Sequence, residues 1–176
     1  MLLKPQDLVV ALKLVALGDK PWTYILLASE LSMSASEVYA AIHRAIQAHL
    51  FSPAASRSDK PRPVRDALSE FILHGARYAF PPDRGELTRG LPTAWAAPPL
   101  ADKIAQPDEP PPVWPDLDGE IRGMTFSPLF PSVPKAARQD QVLYELLVLV
   151  DAIRGGRARE RKIAAGLLTK RLGAKG

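Results

Sequence analysis

Apolar residues fill more than one face of the first predicted helix. Nearly every position between Leu8 and Leu17 is apolar, and Gly18 then supplies a signal that commonly ends helices. Pro5 stands where a first helical turn tolerates proline. The pattern predicts a largely buried helix rather than a secretory signal, because polar residues such as Lys13 interrupt the run and no small-residue cleavage site follows. We therefore expect a cytoplasmic protein.

Two shorter helices are predicted next. Thr23 is a suitable N-cap for a helix that ends near Leu31. The sequence Ser-Ala-Ser-Glu at residues 34–37 is the pattern of a capping box, in which Ser34 caps the helix and Glu37 bonds back to it. A third helix is therefore expected over about residues 35–49.

The third helix has two distinct sides. Apolar residues recur on one side at the spacing of a buried stripe. These inner positions are Val38, Ala41, Ile42, Ala45, Ile46 and His49. The opposite side is small and neutral, with Ser36, Ala40, His43 and Gln47, flanked by Tyr39 and Arg44. Small residues let a helix enter the major groove of DNA, and hydroxyl, amide and imidazole groups can bond to bases or phosphates.

Apolar and small residues recur at fixed offsets through residues 21–51. The residues concerned are Ala28 in the middle of the second helix, Leu31 at its end, Met33 and Ser34 at the turn, and Val38 and Ile42 on the inner face of the third helix. The segment resembles the helix-turn-helix of winged-helix bacterial regulators of the MarR type. Ser32 departs from the pattern, since Gly is frequent there, and no clear β-hairpin wing follows Phe51. The resemblance implies a DNA-recognition helix.

We expect DNA contacts from this helix and from the basic stretch that follows it. Ser36, Tyr39, Ala40, His43 and Gln47 are expected to meet base edges, and Ser34 lies beside them at the turn. Arg44, Arg57, Lys60 and Arg62 are expected to meet phosphates. The alternatives are a plain three-helix core and a solvated basic loop. A fourth, core-facing helix is predicted over residues 63–74.

Proline dominates the middle of the chain. Residues 81–134 hold 13 of the 18 prolines, so this segment cannot be mainly helical. Residues 76–80 and 121–126 are predicted strands, and residues 108–112 an extended stretch. The segment also contains the large aromatic residues Trp95, Trp114, Phe126 and Phe130. These would be costly to leave in water, so we expect the segment to be ordered against the helices; the alternative is a disordered linker.

Two further helices are predicted at the end of the chain. Residues 141–153, capped by Asp140, are apolar almost all round, so this helix must be buried either in the core or in a dimer interface. The last helix covers residues 157–172. Residues 154–175 carry a net charge of +7 and residues 83–120 a net charge of −5. The basic region could bind nucleic acid, meet the acidic segment, or be a solvated tail; we favour a helix docked through its apolar side.

The composition and the absence of known motifs exclude several kinds of catalytic and metal-binding site. The net charge is +4, a mild preference for anionic partners, and no apolar stretch reaches the roughly 18 residues that cross a bilayer. With no cysteine, thiol catalysis and cysteine-bound metals are excluded. His43, His49 and His74 have no metal-ligand spacing, and no phosphate-binding loop or nucleophile elbow is present. We expect no enzyme activity, cofactor or metal, and no membrane partner.

These patterns together predict a mainly α protein in three segments. Residues 1–80 form a helix-turn-helix, winged-helix-like DNA-binding domain, residues 81–134 a Pro-rich acidic connection with short strands, and residues 135–176 a helical, basic dimerisation region. The expected function is a transcriptional regulator that binds double-stranded DNA as a homodimer. The alternative is a protein-interaction module, such as an antitoxin or adaptor, that wraps a protein partner with its Pro-rich segment.

Overall fold

The protein is mainly α-helical, with a small section of sheet. The computed structural model describes residues 2–173. Its helices in chain order are α1 Pro5–Leu17, α2 Tyr24–Leu31, α3 Ala35–Gln47, α4 Arg65–His74, α5 Ala76–Ala79, α6 Val133–Gln139, α7 Gln141–Gly155 and α8 Ala158–Gly173, with a 3-10 turn at Ala94–Ala96. Its strands are β1 Phe51–Ser52, β2 Arg62–Pro63, β3 Arg84–Pro92, β4 Pro112–Pro115 and β5 Ile121–Phe126.

The predicted caps of the second and third helices are confirmed. The hydroxyl of Thr23 accepts from the backbone N–H of Leu26 at 3.0 Å. Ser34 Oγ accepts from the N–H of Glu37 at 3.1 Å, while the Glu37 carboxylate accepts from the N–H of Ser34 at 2.8 Å. This reciprocal capping box fixes the start of α3.

Helix α3 ends one half-turn earlier than predicted. Its last helical residue is Gln47, and His49 then takes a left-handed conformation with φ of 59°. The N–H of Leu50 bonds to the carbonyl of Ala45, which closes the helix in the manner of a Schellman motif. His49 is consequently exposed, and the prediction that it lies on the buried stripe is wrong.

A short β pair follows α3, where the sequence offered no clear hairpin. Strands β1 and β2 are antiparallel, with Phe51 opposite Pro63 and Ser52 opposite Arg62. The loop of residues 53–61 joins them and is largely exposed. Because β2 occupies Arg62–Pro63, the fourth helix begins at Arg65 rather than at residue 63.

The Pro-rich segment is ordered, as expected. Strand β3 pairs antiparallel with both β4 and β5, and β4 pairs parallel with β5, so the three strands close on one another. Trp95, Trp114 and Phe126 are buried, and Phe130 packs against the same core. Strand β5 coincides with the predicted residues 121–126.

The strand predicted at residues 76–80 is wrong. Residues Ala76–Ala79 form the short helix α5, because the backbone at Gly75 stays in the right-handed helical region and continues the turn of α4. Phe80 packs edge-on against Phe71 of α4, with 6.0 Å between ring centroids. The segment therefore extends the helical pair of α4 and α5 instead of forming a strand.

Helix α7 lies at the centre of the fold. It contacts α1, α4, α5, α6, α8 and the 3-10 turn. Buried Asp151 on α7 accepts hydrogen bonds from Thr93 Oγ1, Trp114 Nε1 and Arg154 Nε, at 2.7, 2.7 and 2.8 Å. These bonds fasten the sheet section to the helices. Since this single chain already encloses α7, the helix is not available as the dimer interface that its composition suggested.

The last helix docks through its apolar side. Ala164, Leu168 and Leu172 of α8 are buried, while Arg159 and Lys162 are exposed. Among the described residues, the acidic and basic segments meet through the ion pair of Arg157 with Glu109 at 2.8 Å, and Arg84 also donates to the carbonyl oxygen of Gly155 at 2.8 Å. Lys175, part of the predicted basic tail, lies outside the described residues.

No single helix within residues 2–173 has the length and apolar composition to cross a bilayer; α2 and α3 meet that test only as a pair bent by 106°.

Candidate nucleic-acid interface

The outward side of α3 forms the centre of the candidate site. Ser36, Tyr39, His43 and Gln47 are exposed, and Ala40 between them is half-buried. Four of these positions follow one another at intervals of three or four residues, so they form one stripe along the helix. The prediction that these side chains face away from the core is confirmed. Their contact with DNA stays a prediction.

The inner side of α3 is anchored in the core. Val38, Ala41, Ile42 and Ala45 are buried, and the helix packs against α1 and α2. A helix fixed on one side by close-packed apolar residues presents a rigid opposite side. The outward stripe is therefore a surface of defined shape.

Arg44 does not belong to this surface, contrary to its predicted role in binding phosphates. Its guanidinium is buried and forms two bonds with the fully buried Asp7 of α1, from Nε at 2.8 Å and from Nη2 at 2.6 Å. These bonds raise the pKa of Arg44 above its usual value. A guanidinium held in this way inside the protein ties α3 to α1 and cannot reach a phosphate.

A row of four aromatic rings, which we call the aromatic row, runs from the α1–α2 connection onto α3. Trp22 and Tyr24 meet edge-on at 5.3 Å between centroids, Tyr24 and Tyr39 lie at 5.5 Å, and Tyr39 and His43 stack at 3.9 Å. Burial raises the pKa of Tyr24, and the neighbouring Tyr39 adds to this effect. The row gives the exposed side of α3 a partly apolar border.

This row was only partly predictable from the sequence. Tyr39 and His43 are four residues apart on a helix, a spacing that brings two side chains together, so this one contact had a signal. The contact between Tyr24 and Tyr39 joins two helices. It depends on their crossing geometry, which periodicity does not specify.

Lys60 from the loop of residues 53–61 lies over the aromatic row. Its Nζ is 5.4 Å from the ring of Trp22 and 5.3 Å from that of Tyr24. Such cation–π contacts contribute about 0.5–1 kcal/mol at exposed sites. Lys60 therefore joins the loop to the start of α2 and brings a positive charge beside α3.

The same loop carries the other predicted cations. Arg57 is exposed, and Arg62 lies 3.6 Å from Asp59 with most of its side chain in solvent. Hydrogen bonds from the N–H groups of Lys60 and Ala55 lower the pKa of Asp59. Asp59 thus acts as a carboxylate that shapes the loop and offsets part of its positive charge.

Ser34 is exposed at the start of α3, where it already serves the capping box. Its Oγ also lies 3.1 Å from Ser36 Oγ, so the two hydroxyls share a hydrogen bond. The hydrogen bond from the Ser34 N–H lowers the pKa of Glu37, which is therefore ionised at neutral pH. This carboxylate is the one acidic side chain on α3.

Metal-ligating side chains do not cluster in the part of the chain that the structure describes, where no group of three or more His, Asp or Glu residues could hold an ion. Comparison with protein-family models, curated proteins and solved structures found no match to this chain.

Proposed function

We propose that this protein is a transcriptional regulator that binds double-stranded DNA and places α3 in the major groove. The observation that carries the proposal is the exposed stripe of small, uncharged side chains on a helix whose other side is locked into the core. A surface helix without a binding role more often presents Glu and Lys to solvent. Small and hydrogen-bonding residues suit close approach to base pairs.

The geometry around α3 supports this proposal. Helices α2 and α3 are bent by 106° at their connection, within the range of helix-turn-helix motifs. The β1–β2 pair stands where winged-helix proteins carry their wing. In the proposed complex Ser34, Ser36, Tyr39, Ala40, His43 and Gln47 face the groove, while Arg57, Lys60 and Arg62 meet phosphates. Arg44 has no part in it.

The direct test is binding to a duplex from the region upstream of the protein's own gene, measured by fluorescence anisotropy over a salt series. Each phosphate contact contributes about −0.9 to the slope of log affinity against log salt. Arg57→Ala and Lys60→Ala are each expected to make the slope shallower by about 1. The matched control is Lys162→Ala on α8, a residue that is also exposed and lies outside the proposed interface. Affinity that is unaffected by salt, or no binding, contradicts the proposal.

The proposed regulator acts as a homodimer, since an operator with two half-sites is met by two copies of the binding helix. Analytical ultracentrifugation of the intact chain would measure this. A monomer both free and on DNA contradicts the dimeric part of the proposal.

A second candidate function is protein binding, and one feature of the sheet favours it. Leu87 and Met124 are cross-strand partners, as are Arg89 and Arg122 two residues further along the same face. All four side chains are exposed. Two like charges directly opposite each other destabilise a sheet. A partner segment with carboxylates beside apolar residues would neutralise this pair and cover its apolar neighbours.

The two functions are separable by experiment. If the protein acts as an adaptor, a second polypeptide co-purifies with it, the charge reversals Arg89→Glu and Arg122→Glu abolish that association, and no duplex is bound. The control is Arg159→Glu on α8, which changes the same charge elsewhere. Association that survives both reversals argues against this face.

A further inference from the structure

The burial of Arg44 has a consequence for which bases α3 can recognise. Arg44 is the one Arg or Lys residue of α3, and it is bonded to Asp7 inside the protein. Paired hydrogen bonds from Arg or Lys to O6 and N7 of guanine are the commonest specific contacts in protein–DNA complexes. The outward stripe therefore lacks the side chain that most often selects G·C pairs.

Gln47 supplies the complementary preference. Its side chain is exposed in the last turn of α3. The amide of Gln presents one donor and one acceptor, which match N7 and N6–H of adenine in the major groove.

His43 is held in one tautomer by the backbone. Its Nδ1 lies 2.9 Å from the carbonyl oxygen of Tyr39, and the ring stacks on that of Tyr39. A carbonyl oxygen only accepts hydrogen bonds, so Nδ1 carries the hydrogen and Nε2 of the neutral ring is an acceptor. An acceptor at this point of the stripe matches the amino group of adenine or of cytosine and repels the O6 and N7 acceptors of guanine.

Ala40 lies between His43 and Ser36 on the stripe and ends in a methyl group. Apolar contact between alanine and the C5 methyl of thymine is one of the recurring contacts in the major groove. Gln47 and Ala40 thus each favour one base of an A·T pair, and His43 excludes guanine from the base that it faces.

We infer that α3 selects A·T over G·C pairs at two positions in the major groove, with Gln47 bonding to adenine and Ala40 contacting a thymine methyl group, while His43 excludes guanine from the base that it faces. This inference rests on the proposed function and specifies the DNA that the same surface prefers.

Selection from a random duplex library, using the intact protein, tests the preference. The expected result is a half-site with A·T pairs facing Gln47 and Ala40, and with adenine or cytosine facing His43. Gln47→Arg, at an exposed position, is expected to change one of these pairs to G·C with guanine on the contacted strand and to leave the others unchanged. A wild-type half-site filled by G·C pairs overturns the inference and leaves the proposed function standing. Failure to bind any duplex overturns both.

Single-atom changes in the selected site test each contact. Replacing the adenine opposite Gln47 by 7-deazaadenine removes the N7 acceptor and is expected to weaken binding about three- to tenfold. The same replacement has no further effect in Gln47→Ala. Replacing the thymine opposite Ala40 by deoxyuridine removes one methyl group and is expected to weaken binding about fourfold. Full affinity for both modified sites overturns the assigned contacts, and thermal unfolding of Gln47→Ala at the wild-type temperature excludes a folding defect as the cause of its behaviour.

Discussion

Arg44 illustrates what a single residue's environment adds to a helical wheel. The wheel places it beside the outward stripe, and its charge then suggests phosphate binding. Its partner, Asp7, stands 37 residues earlier in the chain on another helix. Such a pairing depends on how α1 and α3 cross, which neither periodicity nor composition specifies. The local features at the start of α3, its capping box and the buried positions Val38, Ala41, Ile42 and Ala45, follow from neighbours within four residues and were predictable.

Arg44→Ala is expected to lower the free energy of unfolding, because it leaves Asp7 as an unpaired buried charge. Removing one partner of a buried ion pair costs about 3–5 kcal/mol. Urea denaturation measures the free energy of unfolding, and Arg57→Ala, on the exposed loop, is the control expected to change it by less than about 0.5 kcal/mol. Changing Asp7 to Asn in the Arg44→Ala background is expected to restore part of the loss. If Arg44→Ala has wild-type stability but binds DNA more weakly, the structural role of Arg44 is contradicted and a phosphate contact is supported.

Among the elements, the helices were more predictable than the sheet. Helix α7 has an Asp cap and a continuous apolar run, and it begins at residue 141 as expected. The fold of the Pro-rich segment required more. That β3 pairs with both β4 and β5 depends on glycines where strands approach closely, such as Gly90 beside the carbonyl oxygen of Trp114. A proline count predicts the lack of helix in such a segment and is silent on which strands meet.

Two glycine substitutions separate close approach from helix propensity. The methyl group of Gly90→Ala would overlap the Trp114 carbonyl oxygen, so we expect a loss of about 3 kcal/mol in the free energy of unfolding. Gly166→Ala is the matched control, because its methyl group meets no atom within 4 Å and alanine favours the interior of α8. A gain of about 0.5–1 kcal/mol is expected there. Chemical denaturation measures both, and equal effects of the two changes would show that strand contact at Gly90 has no special role.

At the scale of the whole molecule, one hydrophobic core joins all three segments of the chain. The core extends from Leu8 in α1 to Leu172 in α8 and includes Trp114 from the sheet. Lys13 of α1 adds a polar connection, since its ammonium lies 2.7 Å from both Glu30 of α2 and Asp140 at the start of α7. The sequence predicted that α7 must be buried. It did not distinguish burial within the chain from burial between two copies, because apolar residues look alike in both settings.

Tyr144 connects α7 to the sheet and makes the free energy of unfolding vary with pH in the alkaline range. Its hydroxyl donates to the carbonyl oxygen of Pro92 at 2.6 Å. Burial raises the pKa of Tyr144 to about 12, against a smaller opposing effect of Arg138. The unfolded chain loses this proton near pH 10 and the folded chain near pH 12, so the folded state is destabilised as pH rises between them.

The measurement is the free energy of unfolding at several values between pH 9 and pH 12. Tyr144→Phe is expected to show a shallower decline than the wild type over this range, together with a lower stability at neutral pH from the lost hydrogen bond. The raised pKa of Lys13 adds its own decline at high pH in both proteins, so the difference between the two curves isolates Tyr144. Parallel curves contradict the assignment.

Helix α7 is enclosed by helices from both the N-terminal and the C-terminal parts of the chain. This packing determines which fragments of the protein can keep the fold. A fragment that stops near residue 80 would keep every side chain proposed to touch DNA but would lose α7, which packs against α1. Helix α3 would then rest on an α1 whose buried side is exposed to water. A nick in the loop of residues 53–61, in contrast, leaves the packing of α7 against α1 in place. Shortened versions are therefore poor substitutes for the intact polypeptide. Truncation from either terminus removes the packing that holds α3 in place before it removes the side chains proposed to contact DNA.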